Sequence, residues 1–501
     1  MSLLGIDIGT TGCKAGLLNE EGHLLNLAYR EYQIVRLQPG WAEFDSFLVW
    51  GKVKEVITEV ARSASHDPVK ALCVTSCGEA MTPVSADREI LGNSILGLDS
   101  RGEEYCQVVS SSIGQEELYA INGNILGTSY SAPKLAWIRD HEPDLFNQAD
   151  LFLLWSGLVG FLLGGEPACD PSLASRTLLF DFKVDDWSKS LLEAFGLPLY
   201  SLPRIVPPGT LIGQVKKNIA DELGFRGEVD IIVGGHDQCC TALGVGVTQP
   251  GQATYSMGTF ICITPVHTLQ PNPCLLKNGI NVEHHVLKDL YVSFIYNASG
   301  GALLRWARDT FAQREKIELA KQNQDVYDLL MMEMPDEPTG LLVLPHFAPC
   351  GPPSFEADTS GVILGLTLET ERGELIKGLL EGMTFYFKEG IDLIAESGLT
   401  IQEYRATSGG SKSAQWLQLS ADILGQPIAQ VAVSECGVLG AAILAGVGSG
   451  VFSSAVETAR RVVRVNRVFE PRPEKYSFYQ ERLGLYKQLV PQLKNVLHEL
   501  H

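Results

Sequence analysis

No run in this sequence is long and apolar enough to cross a bilayer. The most membrane-like stretch, Leu151 to Leu163, ends at Gly164-Gly165-Glu166, well short of the roughly 20 residues a spanning helix needs. It is expected to be a buried helix. Basic residues are scarce, with 39 Lys and Arg against 59 Asp and Glu and a formal charge of -20. That balance excludes a broad nucleic-acid surface, while local backbone donors or a cation can still receive an anion. Metal-type spacing is missing as well. The eleven cysteines, among them Cys73, Cys77 and the adjacent Cys239-Cys240, follow no ligand pattern. An odd count in apolar settings fits reduced thiols and a cytoplasmic location. The N-terminus has no basic segment and carries Asp7 inside its first apolar run, so no signal peptide is expected. Catalytic signatures are absent too. There is no nucleophile elbow, His284-His285 lacks the zinc-protease spacing, and neither a Walker A lysine nor a Gly-x-Gly-x-x-Gly fingerprint occurs.

What the chain does have is glycine, 50 residues of it, placed where apolar runs end. With 501 residues, two domains of roughly 200–250 residues are the natural expectation. Leu3 to Ile8 reads as a strand, Gly9-Thr10-Thr11-Gly12 as a tight turn and Ala15 to Leu18 as the return strand. Such a turn either cradles phosphate on its backbone N–H groups or is an ordinary hairpin. Asp7, at the strand end, is placed to hold a hydrated Mg²⁺. The pattern recurs at Ala253 to Thr264, with Gly258-Thr259 at the turn. Two similar halves facing each other would bring both turns to one cleft, with the change of domain near Thr248 to Gly251.

Four other places carry candidate chemistry. Trp41, in Pro39-Gly40-Trp41, either lines a cleft or anchors its loop. Asp99 and Arg101, after the short segment Ser94 to Leu98, either grip adjacent hydroxyls or form a local salt bridge. Val229 to Val233 delivers Gly234-Gly235-His236-Asp237-Gln238, and there Asp237 is either a helix cap or a general base. Tyr404 to Thr407 leads into Ser408-Gly409-Gly410-Ser411, a place for phosphate or a base to approach backbone, or for strand and helix to pack closely. The helices expected to frame these sites include Phe44 to Ala64 (Leu48, Val53, Val56, Ile57 and Val60 as the apolar face), Gln313 to Glu333, Arg372 to Ala395 and Tyr476 to Leu497. Asp170 to Arg176 is expected to be a polar loop, 348–360 an irregular excursion, and 361–368 compact and apolar.

The number, order and spacing of these motifs, from Asp7-Ile8-Gly9-Thr10-Thr11 to Gly440-Ala441-Ala442, resemble the FGGY family of carbohydrate kinases. That family is a branch of the actin/hexokinase/Hsp70 superfamily. The resemblance implies an α/β protein of two ribonuclease-H-like domains with an interdomain cleft. Their expected extents are 1–247 for sugar binding and 248–460 for nucleotide binding, with 461–501 as a C-terminal extension. It implies ATP-dependent phosphorylation of a pentulose such as D-xylulose, or of another polyol or ketose. A non-catalytic ATP-dependent regulatory protein is the alternative of another class. In the implied site Asp237 is the general base. Trp41, Glu79, Asp99, Arg101 and Gln238 surround the sugar. Gly9, Thr10, Thr11, Lys14, Gly258, Thr259, Gly301, Gly409, Gly410 and Ser411 face the nucleotide and its phosphates, and Asp7 organises Mg²⁺. The implied partners are a small-molecule sugar or polyol, with neither nucleic acid nor membrane and with room for a homodimer. Cys77-Gly78-Glu79-Ala80-Met81-Thr82 departs from the Gly-Gln-Met-His-Gly of xylulose kinases. There Glu79 stands for an amide, and an ionised carboxylate only accepts hydrogen bonds.

Overall fold

The computed structural model describes residues 1–64, 67–348, 350–351 and 359–500. It contains two mixed sheets of matching topology. The first uses β1 (Ser2–Ile8), β2 (Gly12–Leu18), β3 (Leu24–Glu31), β4 (Val69–Ser76), β5 (Leu211–Gln214) and β6 (Asp230–His236), in the order β5-β6-β4-β1-β2-β3. The first three strands form an antiparallel meander, β4 and β6 run parallel to β1, and β5 closes the edge antiparallel. The second sheet repeats this plan with β7 (Gln252–Met257), β8 (Ile261–His267), β9 (Glu283–His284), β10 (Tyr291–Val292), β11 (Ile295–Asn297), β12 (Glu403–Thr407), β13 (Ile428–Val431) and β14 (Val465–Phe469). β7 and β8 form the hairpin, β12 and β13 run parallel to β7, and β14 is the antiparallel edge. Each half is thus a ribonuclease-H-like α/β unit. The segment read as a separate extension supplies β14, so part of it completes the second sheet.

Helices cover the sheets for local reasons. In α1 (Ser46–Ser63), Asp45 caps the N-terminus by accepting from the Leu48 amide at 3.0 Å, and Val49, Val53, Val56, Ile57 and Val60 bury one stripe. Leu48 lies off that stripe and is exposed; Val49 takes its place. The run Leu151–Leu163 is not one helix. Leu151–Leu154 pairs antiparallel with Met81–Val84, and only Trp155–Leu163 is helical, because a continuous apolar run carries no periodicity to separate the two. No helix among the described residues is long and apolar enough to cross a membrane.

Other expectations change in detail. Asp170 caps a short helix, Pro171–Ser175, where a polar loop was expected. Gln313 to Glu333 breaks into Gln313–Ala320 and Val326–Met332, the second capped by Asp325. The last helix is likewise two, Pro473–Tyr486 and Leu489–Glu499. Val362–Leu364 pairs with Leu342–Leu344, but Leu366 and Leu368 beyond it are exposed rather than compact. The excursion expected over 348–360 falls mostly outside the described residues.

The halves are joined through glycine. Helix α2 (Asp237–Gly244) follows β6, and α3 (Cys436–Gly448) follows β13, so the two are topological equivalents, and they cross at contact distance. A Cβ at Gly244 would lie 1.9 Å from the Cys436 carbonyl oxygen, and one at Gly440 would lie 1.9 Å from that of Cys240. Helix α3 also crosses β1, where a Cβ at Gly5 would lie 2.1 Å from the Val438 carbonyl oxygen. Its close approach is therefore to the first half. Gly440→Ala must push two backbones apart, and a loss of at least about 1–3 kcal/mol in denaturant unfolding is expected. Gly484→Ala, in a helix with nothing within 4 Å, is the control and is expected to gain a few tenths up to about 1 kcal/mol.

Candidate active site

The first turn is held rigid. The Gly9 amide donates to the Gly12 carbonyl at 3.0 Å, and the Tyr32 hydroxyl donates to the Gly9 carbonyl at 2.6 Å. Thr10 and Thr11 project from it into solvent. Lys14 does not face the turn; its Nζ lies 2.6 Å from Glu435, the residue just before α3. Asp7 pairs with Lys14 across the hairpin ladder. The start of α3 packs so closely on it that a Cβ at Gly437 would lie 2.7 Å from Asp7 Oδ2. Burial raises the Asp7 pKa to about 6, with Lys14 opposing and Glu435 adding to the rise.

The second turn is built from the second half. The Gly301 amide donates to the Gly258 carbonyl at 3.0 Å and the Ala302 amide to the Thr259 carbonyl at 3.1 Å, docking the helix Gly300–Phe311 onto the turn. Arg305 Nη2 donates to Thr259 Oγ1 at 2.8 Å. Gly258, Thr259, Gly301, Gly409 and Gly410 line one cavity of about 660 Å³, within the range of small-molecule sites. Gly410 is there for packing, since a Cβ would lie 2.8 Å from Trp416 and 2.9 Å from Met257, whereas Gly409 has nothing within 4 Å. Ser411 is turned away, its hydroxyl donating to the Ser408 carbonyl at 2.7 Å. Arg305, Tyr327 and Asp328 also line the cavity. Sequence reading missed them because they lie in a stretch whose only local signal was charged helix.

Asp237 is the first residue of α2, directly after β6. Its backbone is braced from behind. The Asp170 carboxylate accepts from Ser172 Oγ at 2.6 Å, and Ser172 Oγ accepts from the His236 amide at 2.9 Å. His236 Nε2 lies 3.2 Å from Asp237 Oδ1. Burial, with Arg176 adding to it, holds His236 well below its ordinary pKa, so the ring is neutral and gives Asp237 no counter-charge. The Asp237 side chain keeps 22% exposure. Dense packing nonetheless raises its pKa to about 8, with the negative charges of Asp7 and then Glu79 adding to the effect of burial.

Glu79 sits at φ +64°, a left-handed conformation unusual for a residue with a side chain and common at functional sites. Its carboxylate is gripped by Arg176 through Nε, at 2.6 Å, and Nη2. Arg176 Nη1 reaches across to Glu283 Oε1 of the second half at 2.6 Å. Arg176 and Glu283 were not found from sequence. They are 107 residues apart and belong to no shared local pattern.

Asp99 and Arg101 resolve toward the salt bridge. Asp99 Oδ1 accepts from the Arg101 amide at 2.8 Å and from its Nε at 3.0 Å; Oδ2 accepts from the Ala42 amide at 2.6 Å and Arg101 Nη2 at 2.7 Å. Burial pushes the Asp99 pKa up, but the guanidinium and the two amides outweigh it and hold it below the usual carboxylate value. Arg101 stacks on Trp41 at 3.8 Å and on Trp137 at 4.7 Å. Trp41 is thereby an anchored wall, and Asp99 ties its loop down.

The assembled groups are two glycine turns, an aspartate with a raised pKa, and the acids Asp7 and Glu79 close enough to add to that rise. The N-terminal-domain profile of the FGGY carbohydrate kinases matches residues 2–244, and the C-terminal-domain profile matches residues 253–449. The chain is 26% identical to a xylulose kinase of Bacillus subtilis over 99% of its own length and 97% of that protein. It is 28% identical to an autoinducer-2 kinase of Salmonella paratyphi B, over 96% and 92%. A crystal structure described as a xyloylose kinase from Brucella ovis superimposes with a TM-score of 0.88 at 25% identity, covering 99% of this chain and 100% of that one. With both domain profiles matched in order on the two halves that carry the turns, the chain belongs to the FGGY family of carbohydrate kinases.

Proposed function

We propose that this protein transfers the terminal phosphoryl group of ATP to a hydroxyl of a neutral, open-chain sugar or polyol, with a pentulose such as D-xylulose as the leading acceptor. The observation that carries the reading is Asp237, an aspartate of raised pKa at the head of α2, with Asp7 and Glu79 near enough to add to the rise. Asp237 takes the proton of the acceptor hydroxyl, the oxygen attacks the γ-phosphorus, and ADP leaves with the bridging oxygen. Such transfer needs positioning and charge neutralisation more than covalent help. Gly9, Thr10 and Thr11 on one side, and Gly258, Thr259, Gly301 and Gly409 on the other, would hold the phosphates and nucleotide.

Asp7 fits a Mg²⁺ ion. It is a hard oxygen donor whose raised pKa a dication would bring back down, and Mg²⁺ is commonly held by one or two carboxylates together with substrate phosphates. No cluster of three or more ligating side chains occurs among the described residues, so the nucleotide itself would complete the coordination. The ion would supply neutralisation of the phosphate charge.

The acceptor pocket argues for a neutral substrate. Glu79 and Glu283 both pair with the guanidinium of Arg176, which also lowers the pKa of Asp237, so that cation is already engaged and does not await a substrate carboxylate. The relatives act on different acceptors, so a panel decides. ADP release is measured with ketopentoses, tetritols, glycerol and gluconate, and the product is located by phosphorus NMR. Turnover with one or more neutral acceptors and none with gluconate is expected. ATP binding without acceptor-stimulated ADP release anywhere in the panel would overturn the kinase reading.

A further inference from the structure

One acid at the acceptor pocket comes from the second half of the molecule. Glu283 lies on β9, at the edge of the second sheet, and its side chain has no exposure. Oε1 is doubly bonded, accepting from Arg176 Nη1 at 2.6 Å and from Asn281 Nδ2 at 2.8 Å. Oε2 is buried with no hydrogen-bond partner among the described residues. A buried polar atom of this kind calls for a partner, because leaving an acceptor unsatisfied is costly. The strand that carries it touches the helix that begins at Asp237. Cys239 Sγ, two residues after Asp237, lies 3.5 Å from the carbonyl of His284, the residue after Glu283. Between them Gln238 Oε1 is a second buried acceptor without a partner. Glu79, on the other arm of Arg176, is a second carboxylate held by the same guanidinium.

We propose that Glu283 determines acceptor specificity by taking a hydrogen bond from a substrate hydroxyl through Oε2, so that the second half of the molecule reads the sugar bound to the first. This rests on the kinase reading for the kind of ligand it names. An ionised carboxylate has no proton to offer a carbonyl. The carbon it reads therefore carries a hydroxyl, and the keto group of a ketose substrate lies elsewhere along the chain. Arg176 opposes the rise that burial gives the Glu283 pKa and aims the carboxylate, and the same guanidinium orients Glu79.

The test is calorimetric titration, without nucleotide, of the acceptor panel and its single-deoxy analogues into wild type and Glu283→Gln. The tightest acceptor is expected to weaken at least 10-fold in the variant, while ADP affinity stays within twofold. One deoxy analogue is expected to bind wild type and variant equally, since it lacks the hydroxyl Glu283 reads. Uniform weakening of every ligand in the variant would overturn the proposal, leaving Glu283 as a prop for Arg176. Absence of acceptor binding to wild type would overturn it too. Glu283→Asp, which keeps the charge and withdraws the oxygen, replaces the Gln variant if that one melts below assay temperature. ADP release run on the same ligands separates the two readings. Coupled binding without turnover sinks the kinase and leaves the contact standing, and turnover with uniform weakening does the reverse.

Discussion

Asp237→Asn is expected to cut kcat/KM for the acceptor by about 10²–10⁴-fold, the usual contribution of a general base, with ATP affinity little changed. Asn fills the same space beside His236, but it cannot take the hydroxyl proton. The same substitution is expected to stabilise the fold at alkaline pH. The Asp237 pKa is about 8 in the folded protein against an ordinary 3.8, so the folded state binds the extra proton between those values. Wild-type stability from this group therefore falls as pH rises from about 4 to about 8 and is level above that. The groups that set the shift are Asp7 and Glu79, which raise it, and Arg176, which lowers it, on top of burial. Asn carries no such burden. Thermal melts of both proteins should nearly coincide at pH 4 and separate at pH 8.5, with the variant higher by roughly 1–3 °C. Undiminished sugar phosphorylation by the variant would remove Asp237 as the base. A variant that melts lower at pH 8.5 would contradict the raised pKa.

Arg176→Met is expected to cost about 3–5 kcal/mol at pH 8, the loss seen when one partner of a buried ion pair is removed. Met keeps much of the volume against Tyr130 and Phe294, over which the guanidinium lies at 4.9 and 5.9 Å. What it removes is the cation between Glu79 and Glu283. Burial already raises the Glu283 pKa, and Arg176 is the first group opposing that rise, so in the variant the carboxyl moves higher still. Stability of the variant is then best below the unfolded-state value near 4.5 and falls as pH climbs toward the new folded-state value. Urea unfolding at pH 5 and pH 8 measures this as a gap from wild type that widens with pH. Adding Glu283→Gln to the variant should recover part of the loss at pH 8. A gap below about 1 kcal/mol at both pH values would mean the pair is solvated and does not tie the halves together.

Both experiments concern residues of different legibility. Asp237 stood out because a buried strand and two glycines deliver it, and strand, turn and helix start are local events. The same holds for Asp7, the Gly9 to Gly12 turn and Gly258-Thr259, and the hairpins fall where the sequence places them. Local signals failed where partners are distant or a pattern has no period. Leu151–Leu154 became a strand because Met81–Val84 offered it an edge. Gly378 and Gly382 signal a close approach without naming the neighbour, and only the structure shows them facing Leu341 and Val343, beside and within a strand. Asp99 could grip hydroxyls or form a local salt bridge on sequence alone, and only the structure shows Arg101 and the Ala42 amide bonded to both of its oxygens.

The sequence alone determined the two-part plan, the two glycine turns and the acid at the head of α2, since each depends on a few adjacent residues and their backbone preferences. Only the tertiary structure decided that α2 and α3 cross through Gly244 and Gly440. It alone showed that Lys14 is held by Glu435, and that Arg176 joins Glu79 to Glu283 across the cleft. Those contacts link residues hundreds of positions or a whole domain apart, and charge and close packing act through space rather than along the chain.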